Sequence, residues 1–186
     1  MLARLNPFRS ERVLAVRFRA HGVSLEELVD RLLATVGRGA LVGPEGSGKT
    51  TLQEDLVPFL EARGLHCHFL RLNWQNKRPV TDFWDHPLGP TDALLIDGAE
   101  VLSHWQWAKV RRHTREAGVV LVTLHRAGRL PTLHRTATSP ELLRDILGEL
   151  DYALDAEVAR ELWHRHQGNL RLALRELYDT AGERVS

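Results

Sequence analysis

Cysteine is almost absent from this 186-residue chain, with Cys67 standing alone. One thiol excludes an intramolecular disulfide framework and suits a reducing compartment. Long apolar runs are missing as well, and nothing approaches the roughly 18 residues of a membrane span. The N-terminus mixes Arg4, Arg9 and Arg12 with Pro7 and lacks the apolar centre of a secretory leader. The expected location is therefore cytoplasmic, with no membrane partner. An excess of one charge is lacking too: 25 Lys and Arg face 24 Asp and Glu, for a net charge of +1. A protein that coats polyanions over its whole surface is excluded, so partners must be read from local patches. Lysine occurs only at Lys49, Lys77 and Lys109, the other basic residues being arginine. No repeat or low-complexity tract divides the chain. What it does have is 43% hydrophobic residues, enough at this length for one core.

Apolar runs and turn residues alternate along the chain. Residues 1–22 are basic and read as a strand or extended arm. Ser24, with Glu27 three residues on, has the form of a capping box, and Leu25, Leu28, Leu32 and Leu33 trace one helical face up to Gly37. Residues 39–43 form a short buried strand. A helix from Lys49 buries Leu52, Leu56 and Leu60, with Pro58 kinking or dividing it before Gly64. A strand follows over 65–72. Residues 73–90 lack a clear period and read as a loop. Ala93-Leu94-Leu95-Ile96-Asp97 and Val119-Val120-Leu121-Val122-Thr123 are near-continuous apolar runs, as strands buried on both faces require. Between them a helix is expected from about Ala99 to Glu116, and 131–134 supply a last short strand. Ser139, Asp155 and Asn169 open three C-terminal helices, the last two divided by Gly168.

Strand and helix in alternation predict an α/β fold, a parallel sheet flanked by helices on both faces, with a small C-terminal helical cap. The expected divisions are a basic arm at 1–22, a core at 23–138 and a lid-like helical piece at 139–186.

Between the first core strand and its helix stands Gly43-Pro44-Glu45-Gly46-Ser47-Gly48-Lys49-Thr50, followed by Thr51. Glycines at 43, 46 and 48 let successive N–H groups converge on one anion at a helix start. Lys49 would reach the β- and γ-phosphates, and the Thr50 hydroxyl would ligate Mg²⁺. Asp97 closes a neighbouring strand, where a carboxylate can hold the magnesium shell opposite Thr50; its plainer reading is a helix N-cap.

This pair resembles the Walker A and Walker B motifs of P-loop NTPases of the ASCE branch, which includes AAA+ and STAND proteins, over roughly residues 36–125. The resemblance implies a three-layer P-loop NTPase fold, with ATP and Mg²⁺ as ligands. Most AAA+ proteins carry glutamate directly after the Walker B aspartate, whereas this chain has Gly98. NACHT-type STAND proteins resemble Asp-Gly-x-Asp-Glu, and Asp97-Gly98-Ala99-Glu100 follows that pattern, with Val101 replacing the final acid. Glu100 is thus the candidate base that positions water, against a reading as an acid of the first helical turn. Thr123 or His125 stands where a sensor 1 residue would approach the γ-phosphate. Gly168-Asn169-Leu170-Arg171 resembles the start of a lid helix bearing a sensor 2 arginine, Arg171, and equally reads as a glycine stop, a new cap and a solvated arginine.

The implied function is a Mg²⁺-dependent ATPase whose cycle moves the cap or controls assembly with a second copy or a protein partner, Lys49 and Glu100 being the catalytic candidates. No Asn-Lys-x-Asp base-reading motif is present, which favours ATP over GTP. A non-hydrolysing adaptor and a small-molecule kinase with a pocket from 73–90 are the alternatives. The basic stretch 109–135, with Lys109, Arg111, Arg112, Arg115, Arg126, Arg129 and Arg135, reads as a solvated face, a nucleic-acid contact or the source of an arginine finger. Trp105 and Trp107 point to different sides of their helix, so one belongs to the core and the other faces outward. His66 with His68, and His164 with His166, lack a third ligand nearby, and ordinary histidines are expected there rather than zinc.

Overall fold

A computed structural model describes residues 23–73, 75 and 87–183, with side chains to 181. The expected arm at 1–22 and most of the 73–90 loop lie outside the described residues. The described residues divide into two units, one taking 23–43 together with 49–136, the other 44–48 together with 137–183.

The first unit runs α1 (Leu25–Ala34), β1 (Arg38–Val42), α2 (Lys49–Asp55), α3 (Val57–Glu61), β2 (His66–Arg71), β3 (Asp92–Asp97), a 3-10 turn at Ala99–Val101, α4 (His104–His113), β4 (Val119–Leu124) and β5 (Thr132–Arg135). Its strands form a five-stranded sheet in the order β2-β3-β4-β1-β5. Every pairing is parallel. Parallel strands need crossovers, and crossover helices bury both faces of the sheet. Hence every residue of β4 is buried, as are Ala93, Leu94, Leu95 and Ile96. On one face Ala40, Val42, Leu94, Ile96, Val120 and Val122 pack with Trp107 and Val110 of α4. Leu41, Leu95 and Leu121 alternate to the other face and are also fully buried. Each such leucine contributes roughly 1.5–3 kcal/mol relative to exposure.

Two local expectations are revised and a third is borne out. In α1, Leu28, Val29 and Leu32 are the buried residues, while Leu33 is 38% exposed. Ser24 does cap this helix through the Glu27 N–H, but the Glu27 carboxylate is held by Arg31 at 2.5 Å instead of returning to the cap. As expected, the helix from Lys49 is divided at Pro58, which sits in the first turn of α3 and can donate no backbone hydrogen bond. Finally, the helix expected from Ala99 to Glu116 is a 3-10 turn, an extended Leu102 and then α4, which starts afresh from a Ser103/Gln106 capping box.

The second unit holds α5 (Pro140–Glu149), α6 (Ala156–Arg165) and α7 (Leu170–Glu183). Ser139 and Asp155 cap the first two helices through the N–H groups of Leu142 and Glu157, and Asn169 Oδ1 accepts from Leu172 N at 3.2 Å. Leu142, Leu143, Leu147, Leu150, Leu162, Leu170 and Leu174 close a separate small core.

The turn leaving β3 tests how much of this layout rests on one residue. Gly98 has φ +79°, and a Cβ there would stand 2.4 Å from the Leu72 carbonyl oxygen; Gly64 has φ +80° but nothing within 4 Å. Both substitutions to alanine pay the left-handed strain, roughly 1–2 kcal/mol, and only the one at 98 also clashes. Urea melts should therefore show Gly98→Ala losing clearly more stability than Gly64→Ala. Equal losses would mean that the β2 end yields without cost.

Candidate nucleotide site

The parallel register determines which side chains meet at the carboxyl ends of the strands. Ile96 pairs with Val122 and Val42 with Leu124, so Asp97 and Thr123 lie side by side, with β4 between β3 and β1. Thr123 Oγ1 donates to Asp97 Oδ1 at 2.7 Å and accepts from the Gly98 N–H at 2.8 Å. The other carboxylate oxygen, Oδ2, accepts from Thr50 Oγ1 at 3.0 Å. Thr50 is held in place from below. One turn on, the fully buried Gln53 donates to Leu121 O at 3.0 Å and lies 3.4 Å from Ile96 O, which ties α2 to β3 and β4.

Residues 44–48 link β1 to α2 along the chain. Gly46 and Gly48 both take the left-handed conformation, φ +71° and +83°, which exposes consecutive N–H groups on one side of a tight loop. Ser47 is buried and donates to Pro44 O at 2.7 Å. A Cβ on Gly46 would stand 2.0 Å from Asn169 Oδ1, so the cap of α7 rests directly on this loop. At the head of α2, Lys49 is buried to 8% exposure and its Nζ donates to Gly43 O at 2.8 Å. A buried ammonium beside the loop is suited to an incoming anion.

Glu100 lies in the 3-10 turn beyond Asp97. His125 Nε2 stands 3.3 Å from its Oε1. Its Oε2 is buried with no hydrogen-bond partner among the described residues. Arg129 is nearby: burial lowers its pKa, and the negative charge of Glu100 opposes that shift. Its guanidinium donates to Leu102 O and stacks 5.2 Å from the Trp107 ring centroid.

Of the residues singled out in the sequence, the structure brings together Thr50, Asp97 and Thr123, and separately Glu100 and His125. Pro44 and Glu45 are exposed in the loop, Thr51 is partly buried on α2, and Arg171 is exposed in the first turn of α7. The residues of the basic stretch do not share one environment. Arg129 is engaged inside the first unit, whereas Arg126 and Arg135 are exposed. Two contacts escaped the sequence reading. Gln53 carried no signal beyond its place four residues after Lys49, and Asn169 announced itself as a helix cap with no sign that it would touch Gly46. His68 meets Asp92 at 2.8 Å and His166 meets Glu176 at 2.6 Å, so each of these histidines is paired with a carboxylate.

No protein-family model matches the chain, and no curated protein matches it by sequence. Solved structures do. The RuvB Holliday junction branch migration motor of Thermotoga maritima superposes with a TM-score of 0.53 at 17% identity, covering 89% of this chain and 64% of that one. A chain of the Drosophila ORC structure bound to DNA gives a TM-score of 0.54 at 17% identity, covering 97% and 61%. The chain thus spans about three-fifths of the length of these structures. Sheet, loop and likeness agree: the chain has an AAA+-like P-loop NTPase fold, a three-layer arrangement of parallel sheet and flanking helices.

Proposed function

We propose that this chain binds ATP with Mg²⁺ and hydrolyses it, the nucleotide state being passed to the C-terminal helices or to a partner. The observation that carries the reading is the hydrogen-bonded line Thr50–Asp97–Thr123. It places a hydroxyl and a carboxylate 3.0 Å apart, an all-oxygen pair that fits a hard divalent cation, beside a buried lysine.

In this reading the N–H groups of 43–50 bind the phosphates, and Lys49 exchanges Gly43 O for the β- and γ-oxygens. Thr50 and Asp97 would hold Mg²⁺, which when bound would neutralise charge developing on the transferred phosphoryl group. Glu100 orients the attacking water and takes up its proton through the buried Oε2, while His125 holds the opposite oxygen. Thr123 keeps the Asp97 carboxylate turned toward Thr50. Arg171, in the first turn of α7, is the candidate to read the phosphates from the lid. Arg126 and Arg135 are the exposed candidates for action on a neighbouring copy. The non-hydrolysing adaptor keeps one observation in its favour: Gly98 occupies the place where most AAA+ proteins carry their catalytic acid.

Lys49→Ala should weaken triphosphate binding at least about tenfold while leaving the melting curve little changed, since it removes a charge-assisted contact worth roughly 1.5–3 kcal/mol. Asp97→Asn should weaken Mg²⁺-ATP more than metal-free ATP. Titration of a labelled ATP analogue with and without magnesium checks both. Unchanged affinity in the Lys49 variant, or equal losses in the Asp97 variant, would be incompatible with these roles.

Glu100→Gln separates enzyme from adaptor. It should preserve ATP affinity and lower phosphate release by about 10²–10⁴-fold. Loss of binding would make Glu100 structural, and unaltered turnover would remove it from the chemistry. Tight binding by the unmodified protein with no phosphate release, partners included, would establish the adaptor.

A further inference from the structure

The sheet ends in β2 on one side and in β5 on the other, and the two edges are built differently. β5 is four residues long, follows Pro131 and pairs with a register shift at Ala40/Leu41. Shortness, proline and an irregular ladder are usual means of closing a sheet edge to further strands. β2 has none of them. Its six residues pair with β3 without a shift, from His66 with Asp92 to Arg71 with Asp97. His66 N donates to Thr91 O and Leu72 N to Asp97 O, so at a period of two the even residues serve β3. Cys67, Phe69 and Arg71 therefore aim their N–H and C=O groups at the open side, where no strand pairs with them among the described residues. Phe69, at the centre of the three, is 42% exposed, with the Arg71 guanidinium 5.8 Å from its ring centroid. That guanidinium is held within its own unit by Glu54 at 2.6 Å.

An open, regular edge accepts a strand whose side chains complement its own, and β2 complements itself. We propose that the β2 strands of two copies of this chain pair antiparallel about a two-fold axis at Phe69, joining two five-stranded sheets into one. Phe69 then lies opposite the Phe69 of the second copy and Cys67 opposite Arg71, pairs that exchange about six backbone hydrogen bonds in all. Only an axis at residue 69 sets the two rings directly opposite each other, a favourable cross-strand pair. The charges suit this register. Burial, and after it the charge of Glu61, push the Cys67 thiol up to about 11, which places the Glu61 carboxylate near Cys67, where the second copy's Arg71 arrives. On the other face His68, engaged with Asp92 at 2.8 Å, falls opposite Leu70, so no charged residue meets its own kind. An axis at residue 71 would instead set two arginines face to face. Because the β5 edge is blunted, each copy offers one edge, and pairing closes at a dimer without growing into a fibre. The inference makes no use of the phosphate loop and does not rest on ATP binding.

Sedimentation equilibrium of the full chain over a wide concentration range, without ATP, should show monomer and dimer in exchange. Phe69→Lys sets two ammonium groups opposite each other and should weaken the dimer at least about tenfold. Phe69→Pro removes an outward N–H but no bond to β3 and should act in the same direction. Circular dichroism verifies that both variants are folded. Cross-linking reads the register. Phe69→Cys in a Cys67→Ser background brings two thiols onto Cα atoms about 5.5 Å apart, within disulfide range, and mild oxidation should yield a covalent dimer. Val36→Cys in the same background, at an 84% exposed site before β1, should yield far less, as should the unmodified chain through Cys67. Monomers at every concentration, a dimer that neither Phe69→Lys nor Phe69→Pro weakens, or cross-linking at 69 no better than at 36 would each overturn the proposal. Because Lys49→Ala leaves this edge unaltered and should dimerise normally, failure of the ATP reading and failure of this one are distinguishable.

Discussion

The carboxylate of Asp97 is the point on which the proposed site turns, because it joins three elements that sheet topology keeps apart. β4 separates the strand that leads into the phosphate loop from the strand that ends in Asp97. Contact across that gap runs through Thr123, whose hydroxyl donates to Asp97 at 2.7 Å while accepting from Gly98 N at 2.8 Å. With one proton and its lone pairs so used, the hydroxyl fixes both the carboxylate and the chain turning away from β3. The second carboxylate oxygen then takes Thr50. Hydrogen bonds to a charged group contribute roughly 1.5–3 kcal/mol each, sufficient to hold one rotamer of Asp97 before any ligand arrives.

The departure at position 98 follows from the same turn. Leaving β3, the chain adopts φ +79°, and the Leu72 carbonyl at the end of β2 occupies the space of a Cβ. Leu72 N in turn donates to Asp97 O at 2.9 Å, so the two strand ends lock together. A glutamate directly after Asp97 would break that lock. The acid instead falls two residues later, in a turn short enough to leave Glu100 facing His125 at the end of β4. The displaced glutamate and the glycine before it are two parts of one backbone solution.

Where local chemistry decides the structure, the sequence was readable. β3 and β4 are apolar almost without interruption because both faces are covered, and the phosphate loop shows itself by its glycine spacing between a strand and a helix. Ser139, Asp155 and Asn169 each cap the helix they were expected to open. The failures share a different cause. The break at Leu102 and Ser103 depends on a capping box that competes with a continuous apolar period. The buried face of α1 differs by one residue, Val29 for Leu33, since the direction in which a helix meets its sheet is a tertiary property. Gln53 reaching Leu121 O, Arg129 over Trp107 and Glu100 against His125 join residues 22 to 68 positions apart, which no spacing rule anticipates. The arginines of the basic stretch, adjacent in sequence, stand in different surroundings for the same reason, Arg129 over Trp107 and Arg126 and Arg135 exposed.

Asn169 shows how two readings of one motif can hold together. As a glycine stop followed by a cap, Gly168-Asn169 ends α6 and opens α7, with Oδ1 accepting from Leu172 N. The same oxygen lies where Gly46 would carry a Cβ, so the cap is also a wall of the phosphate loop. Thr138 pins this turn from the other side: its Oγ1 accepts from Trp163 Nε1 at 3.1 Å and would lie 2.8 Å from a Cβ on Gly168. Asn169 thus stands between the loop at Gly46 and a turn that Thr138 lies against at Gly168. Under the proposed reading, a nucleotide that favoured one loop conformation would also favour one position of that helix start, since only a difference in affinity between states couples two sites.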